Sequence, residues 1–449
     1  MSVLVIGGGI SGLACAYRLN QRGVDVQVIE KENRVGGVVQ SEEVAGFQFD
    51  LGPQSFLSND TILRLISELG LDSEMLRANP RAPRFIYFNS RLQPAPMSPP
   101  ALLKTPLLSG RTKRRILIEP LRKSRPPEAD ESVAAFARRK FGEDLLDNLL
   151  GPFVSGVYAG DPERLSLRSA FPSAHRWELE HGSVIRGAMK ARPEKGWPRP
   201  VLTSFRGGLQ TLMRSLASSL AGRIETGVEV CGLRPITDSE FEVHIRGREG
   251  SLERSKGAAV VLATPAYVSS RLLGEISPSA AEALRRIEYA PVAVVNLGYR
   301  REQVAHPLEG FGFLAPRTQG LRILGTIWGS SLFTGRAPQG MVSLTSFLGG
   351  ATDPALFDLS DDAIAQLAAA ENARVLGITG VPVVHRLQRF THAIPQYNLG
   401  HDGILARIRA ALASHPGLFL TGNYFQGPSI ATCVETAFAT ADQICKTLT

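Results

Sequence analysis

Cysteine is scarce, at four residues in 449. Cys15, Cys231, Cys433 and Cys445 contain no C-x-x-C pair, which argues against a zinc site and a disulfide framework and leaves the thiols as small buried hydrophobes. Long apolar runs are missing too. The longest, such as Ala258 to Ala263, are far too short to cross a bilayer. No signal or transit peptide fits ahead of the strand-like Val3-Leu4-Val5-Ile6, so the expected location is the cytoplasm. There is no internal repeat, no low-complexity tract and no metal-ligating cluster.

What is there is a globular composition, 43% hydrophobic and 20% charged, in a chain long enough for two or three cores. The formal charge of +8 would suit nucleic acid, a membrane surface or an anionic small molecule. Its distribution is informative. Arg111, Lys113, Arg114, Arg115, Arg122, Lys123 and Arg125 interleave with Ile116, Leu117, Ile118 and Leu121, an amphipathic basic segment. Such a segment is either a solvated helix face or a contact for anionic lipid at the inner face of a membrane, and no nucleic-acid partner is expected.

Residues 3 to 6 read as a buried parallel strand, followed at once by Gly7-Gly8-Gly9-Ile10-Ser11-Gly12 and an amphipathic run from Leu13 to Leu19. In such a strand, turn and helix, Gly7 permits the tight turn, Gly9 lets the backbone approach a pyrophosphate, and Gly12 lets helix and strand pack closely. A second strand, Val26-Gln27-Val28-Ile29, ends in Glu30, placed where an acid accepts the ribose hydroxyls of an adenosine and disfavours a 2′-phosphate. A dinucleotide is therefore expected on this loop. At the far end, Leu418-Phe419-Leu420-Thr421-Gly422-Asn423 reads as strand and turn. Gly427-Pro428-Ser429 then opens a helix with Ile430, Val434, Phe438 and Ala441 on one face, Ser429 serving as N-cap.

After Glu30, the run Lys31-Glu32-Asn33-Arg34-Val35-Gly36-Gly37 and the turn Phe49-Asp50-Leu51-Gly52-Pro53 resemble the large flavoprotein family that includes amine oxidases, phytoene desaturases and protoporphyrinogen oxidases. The resemblance implies FAD. Arg34, Gly36 and Gly37 would lie along the pyrophosphate and ribityl chain, and Gly52, Pro53, Gln54 and Ser55 would approach the flavin ring. Val230 would meet the adenine side, and Gly422, Pro428, Ser429 and Ile430 would make the last contacts. The implied fold is α/β, with a discontinuous Rossmann-type FAD-binding domain at 1–84, 204–270 and 415–449. An inserted helical domain is expected at 85–203 and an α+β substrate domain at 271–414.

A narrower resemblance runs through the whole chain. Ile394-Pro395-Gln396-Tyr397-Asn398-Leu399-Gly400-His401 is similar to the I-P-Q-Y-x-L-G-H signature of protoporphyrinogen and coproporphyrinogen oxidases. Gly151-Pro152-Phe153-Val154-Ser155-Gly156-Val157-Tyr158-Ala159-Gly160-Asp161 and Gly310-Phe311-Gly312-Phe313-Leu314 match as well. The implied activity is FAD-dependent oxidation of a porphyrinogen to the porphyrin in heme biosynthesis, with dioxygen reduced to hydrogen peroxide. No catalytic side chain is implied, because the flavin carries the chemistry. Phe311, Leu314, Ile327 and Phe347 would sandwich the tetrapyrrole, and Arg84 would pair with a propionate.

Two positions depart from the pattern. Gln54 stands where some relatives carry a propionate-binding Arg, and Phe390 stands where bacterial relatives often carry Trp, which would keep an aromatic face over the flavin without the indole donor. The choice between protoporphyrinogen IX and coproporphyrinogen III stays open, as does homodimer formation. His392 and His401 are more economically read as loop-structuring residues than as bases, and Cys433 as packing rather than a flavin attachment point. Another flavoenzyme of the superfamily, or a non-catalytic binding protein on the same fold, are the competing readings.

Overall fold

The computed structural model describes residues 2–191, 200–237, 240–247 and 250–448. Its organising element is a five-stranded parallel sheet in the order Ile224–Thr226, Asp25–Glu30, Ser2–Ile6, Ala259–Leu262 and Leu418–Leu420. Both faces are covered, which is why Val3–Ile6, Ala259–Leu262 and Leu418–Leu420 are apolar throughout. Val3 and Val5 point to one side, against the helices Ile10–Gln21, Asp60–Glu68, Gln210–Ser219 and Ile430–Leu448. Leu4 and Ile6 point to the other, into a core shared with the antiparallel strands Glu229–Thr237 and Glu240–Arg246 and the helices Pro278–Arg285 and His401–Leu412.

The second layer is a seven-stranded sheet in the order Val384–Pro395, Tyr289–Arg300, Met341–Gly349, Ile323–Trp328, Gly312–Leu314, Arg84–Phe88 and Arg91–Pro94. One face packs on the helix Asp361–Leu376, burying Trp328, Leu344, Leu348, Ile364 and Ala368. That helix is well specified locally. Ser360 accepts a hydrogen bond from the Ala363 N–H, Asp361 and Asp362 occupy the positive first turn, and Gly377 ends it at φ 64°.

The helical insertion runs from Pro99–Lys104 to Val184–Lys190, and Ser98, Ser109, Ser132, Ser166 and Ser183 each cap a helix. Its interior holds charge. Lys140 Nζ lies 3.0 Å from both Glu119 and Glu178, and Arg139 bridges Glu178 and Glu131 at 2.8 and 2.7 Å. Glu119 also accepts the N–H groups of Val184 and Ile185 at a helix start.

Three expected boundaries are corrected. The strands from Arg84 to Pro94 belong to the seven-stranded sheet, so the helical insertion begins after them rather than at 85. Leu202–Phe205 pairs with Phe56–Leu57 and Met75–Arg77 and so stands with the part expected at 1–84. Within the expected substrate domain 271–414, Pro278–Arg285 and His401–Leu412 pack on the parallel sheet. Residues 192–199 of the expected insertion lie outside the described residues.

Candidate flavin and substrate site

The opening loop is shaped for close approach. Gly7 turns at φ 108°, and a Cβ on Gly12 would stand 1.9 Å from the Gly7 carbonyl oxygen. A Cβ on Gly9 would meet nothing within 4 Å, so that side of the loop is open. Gly37, at φ 58°, faces the Gly9 Cα across this lane, and the buried Gly36 donates its N–H to the Gly8 carbonyl at 2.8 Å. Glu30 ends the second strand with its carboxylate at the loop, Oε2 accepting the Gly8 N–H at 2.5 Å and Oε1 the Glu32 N–H at 2.8 Å. Arg34, half-buried, donates to the carbonyls of Val35 and Gly37, and burial draws its pKa below the ordinary value. Gly227 and Val228 donate to the backbone carbonyls of Glu32 and Glu30. That brings Val230, itself buried in the core, to the Glu30 end of the loop.

The two ends of the chain meet here. The terminal helix packs along the first helix through Ala14, Val434, Ala437 and Ala441, and Arg18 pairs with Asp442 at 3.2 Å. Ser429 accepts the Thr432 N–H at 3.1 Å and caps the terminal helix, with Pro428 half-buried ahead of it and Ile430 buried. Burial pushes the Cys433 thiol up to about 11, and Ser11 of the opening loop pulls it back. A protonated, buried thiol is packing, as the sequence suggested. Beside Gly422 the Thr421 hydroxyl is buried with no partner among the described residues. An open glycine lane, an acid at its ribose end and an orphaned hydroxyl across from it fit an extended dinucleotide.

The turn after Asp50 lies against the seven-stranded sheet. Gln54 Nε2 donates to the carbonyls of Asp50 and Gly52 at 2.6 and 3.0 Å, and its Oε1 accepts the Thr345 hydroxyl at 3.1 Å. Asn296 donates to the same Asp50 carbonyl at 3.1 Å and accepts from Thr345 at 2.7 Å. Gln54 thus ties the turn to the sheet instead of reaching a propionate. A Cβ on Gly52 would be 2.1 Å from the Val38 carbonyl oxygen and 3.9 Å from the ring of Phe390. Pro53 and Ser55 are half-buried in the same turn.

Strand register puts the expected substrate residues on one sheet face, the one turned away from the helix Asp361–Leu376. Leu314, Gly325, Phe347 and Val294 stand across from one another, and two residues along so do Arg84, Gly312, Ile327, Thr345 and Asn296. Phe311 and Ile327 pack against one cluster with Leu332 and Phe333, and the Arg84 guanidinium sits 5.3 Å from the Phe311 ring centroid. Phe347 and Phe390 both pack against the buried cluster that holds Val292 and Val294. Leu314, Ile327 and Phe347 are each only partly buried, although their strand neighbours are dry, and Phe390 is partly buried as well. The expected sandwich is corrected to a single wall, because paired strands present these residues on one side.

The facing side comes from residues the sequence reading did not single out. On the helix Gly151–Tyr158, Gly156 meets the sheet so closely that a Cβ would come 2.6 Å from Leu314 Cδ2. Phe153 and Val157, 44% and 42% exposed, flank that contact at helical spacing. Their signal was membership of the matching Gly151-to-Asp161 segment, which gave neither of them a role.

The I-P-Q-Y segment joins three parts of the chain. Gln396 donates to the Tyr158 carbonyl of the insertion, and Tyr397 to the Asn423 carbonyl of the terminal loop. His401 stacks on Tyr397 at 4.4 Å and shares Nε2 with the Tyr424 carbonyl. Burial lowers its pKa, so it is held neutral inside the protein. His392 is exposed and packs on Tyr267 at 4.7 Å.

The sequence signature of the flavin containing amine oxidoreductases matches residues 10–445. The chain belongs to that family. FAD is the cofactor of this flavoprotein. Among known proteins of the family it is 34% identical to protoporphyrinogen oxidase 1, chloroplastic, of Spinacia oleracea, over 99% of this chain and 84% of that one. It is 30% identical to the coproporphyrinogen III oxidase of Bacillus subtilis (strain 168), over 96% and 95%. The crystal structure of a candidate protoporphyrinogen oxidase from Exiguobacterium sp. 255-15 superposes with a TM-score of 0.84 at 25% identity, covering 99% of this flavoprotein and 98% of that chain.

Proposed function

We propose that this flavoprotein oxidises a porphyrinogen, protoporphyrinogen IX or coproporphyrinogen III, to the porphyrin in heme biosynthesis, with dioxygen as acceptor and hydrogen peroxide as product. The observation that carries the reading is the wall of partly buried Leu314, Ile327, Phe347 and Phe390, which ends at Arg84 on one side and at the Asp50 turn on the other. A wide apolar surface with one cation at its rim suits a flat macrocycle bearing propionates.

FAD, when bound, supplies the hydride acceptor. The chain's own residues bind and orient. Phe390 and Phe347 hold the disc near Gly52, Arg84 fixes its rotation through a propionate, and Phe153 and Val157 close the opposite side against water. His401 is buried against Tyr397 and the Tyr424 carbonyl, and His392 packs on Tyr267, so proton release is assigned to the macrocycle's own nitrogens. Relatives named for both porphyrinogens leave side-by-side turnover as the test, with peroxide measured. Both porphyrinogens unreacted by the FAD-loaded protein would overturn the reading.

Contact with anionic membrane is part of the same proposal. Leu117, Leu121, Leu179 and Met189 are exposed by 58, 81, 58 and 74% on the insertion, among Arg114, Arg122, Lys123 and Arg125. No helix among the described residues is long and apolar enough to cross a membrane, so the contact would be peripheral. Flotation with phosphatidylserine vesicles that persists after Leu121→Asp and Leu179→Asp together would remove this surface from the proposal.

A further inference from the structure

Arg336 lies in the loop between the short helix Gly329–Leu332 and the strand Met341–Gly349, and its side chain is 4% exposed. Its Nη2 stands 3.1 Å from Asp50 Oδ2 and donates to the Ser204 hydroxyl at 2.6 Å. Its Nη1 is buried with no partner among the described residues. Asp50 is the residue that opens the turn against the flavin, and its carboxylate is 2% exposed. Oδ1 accepts from Ser41 and from the Leu209 N–H, at 2.5 and 2.9 Å. Room for that carboxylate is made by Gly208, at φ 79°, where a Cβ would come 2.7 Å from Oδ1.

The same guanidinium sits 5.7 Å from the ring of Phe333, which packs in one cluster with Phe311 and Ile327 of the cleft wall. Arg336 therefore joins the wall of the cleft to the first residue of the flavin turn, and touches neither the glycine loop nor the terminal helix. A buried carboxylate with a single cationic partner depends on it: removing that partner leaves a desolvated charge, whereas removing both charges does not.

We infer that Arg336 is a positioning residue which, through Asp50, holds the Asp50-to-Ser55 turn in place and so sets both the affinity and the midpoint potential of the bound flavin. The inference rests on the flavin reading of that turn and is independent of which substrate is oxidised.

The test is FAD titration of the apoprotein and reductive titration of the holoenzyme for wild type, Arg336→Lys, Arg336→Met, Asp50→Asn and the double variant Asp50→Asn/Arg336→Met. Arg336→Met is expected to weaken FAD binding by about tenfold or more and to displace the midpoint potential, with Arg336→Lys within about threefold of wild type. The double variant should lose much less than the two single losses combined, the signature of a coupled pair. Wild-type affinity and potential in Arg336→Met, or losses that simply add in the double variant, would overturn the assignment. Should Arg336→Met fail to fold, Asp50→Asn carries the same test, since it breaks the same pair from the other side. Neither titration needs a porphyrinogen, so a protein inert toward porphyrinogens can still show the coupling, and an active one can lack it.

Discussion

The seven-stranded sheet has two faces made by alternate residues of the same strands, and they differ in one respect. On the face toward Asp361–Leu376, Trp328, Leu344 and Leu348 are fully dry. On the other, Leu314, Ile327 and Phe347 stop short of full burial, while Asn296 and Thr345 among them are buried and hydrogen-bonded toward the flavin turn. Large apolar groups left partly open beside satisfied polar ones are the mark of a cleft wall rather than a core. The comparison teaches that exposure along a strand, more than hydrophobicity, separates scaffold from site.

The sharpest way to break the comparison is on the dry face. Trp328→Ala should cost about 3–5 kcal/mol of stability by denaturant unfolding, with any activity lost only through unfolded protein. The dry face also predicts a contrast with the ionic interior of the insertion. Hydrogen bonds from Arg139, Ser124 and Lys140 outweigh burial and hold Glu178 at about 2, and Glu119 is lowered for similar reasons. A depressed carboxylate contributes stability above its unfolded pKa that is lost as pH falls through the folded one. Acid between about pH 4.5 and 2 should therefore loosen the insertion before the sheet. Limited proteolysis at pH 3 should cut within 99–190 first, and Lys140→Met should move that onset to higher pH.

On the cleft face, effects on stability should shrink and effects on substrate grow. Phe347→Ala should cost at least about 2 kcal/mol less stability than Trp328→Ala while raising KM for the porphyrinogen. An equal loss of stability would make Phe347 core. Smallest is Arg84→Ala, expected to raise KM by about tenfold with kcat little changed, as loss of one charge-assisted pair would. An unchanged KM would take Arg84 out of the cleft.

What could be read in advance was local or shared with a family. Gly7, Gly9, Gly12 and Glu30 form a pattern whose geometry follows from backbone sterics within one strand, turn and helix, and the structure builds it that way. The helical boundary at 85 failed because Arg84–Phe88 gains its identity from pairing with Gly312–Leu314, a partner remote in sequence. Gln54 looked like a missing anchor. Its real partners, Thr345 and the carbonyls of its own turn, emerge only once the sheet is assembled. Phe153 and Val157 lay inside a matching segment that assigned them no role, and Arg336 carried no motif, since its partners Asp50 and Ser204 are brought in by the fold.

The meeting of the opening loop with the terminal helix has a consequence for biosynthesis. The strand Ser2–Ile6 leaves the ribosome long before Leu418–Leu420 and Ile430–Leu448, which extend its sheet and cover its helix. Pairings so distant in sequence form late and slowly, and until they form the unfinished sheet is a client for chaperones.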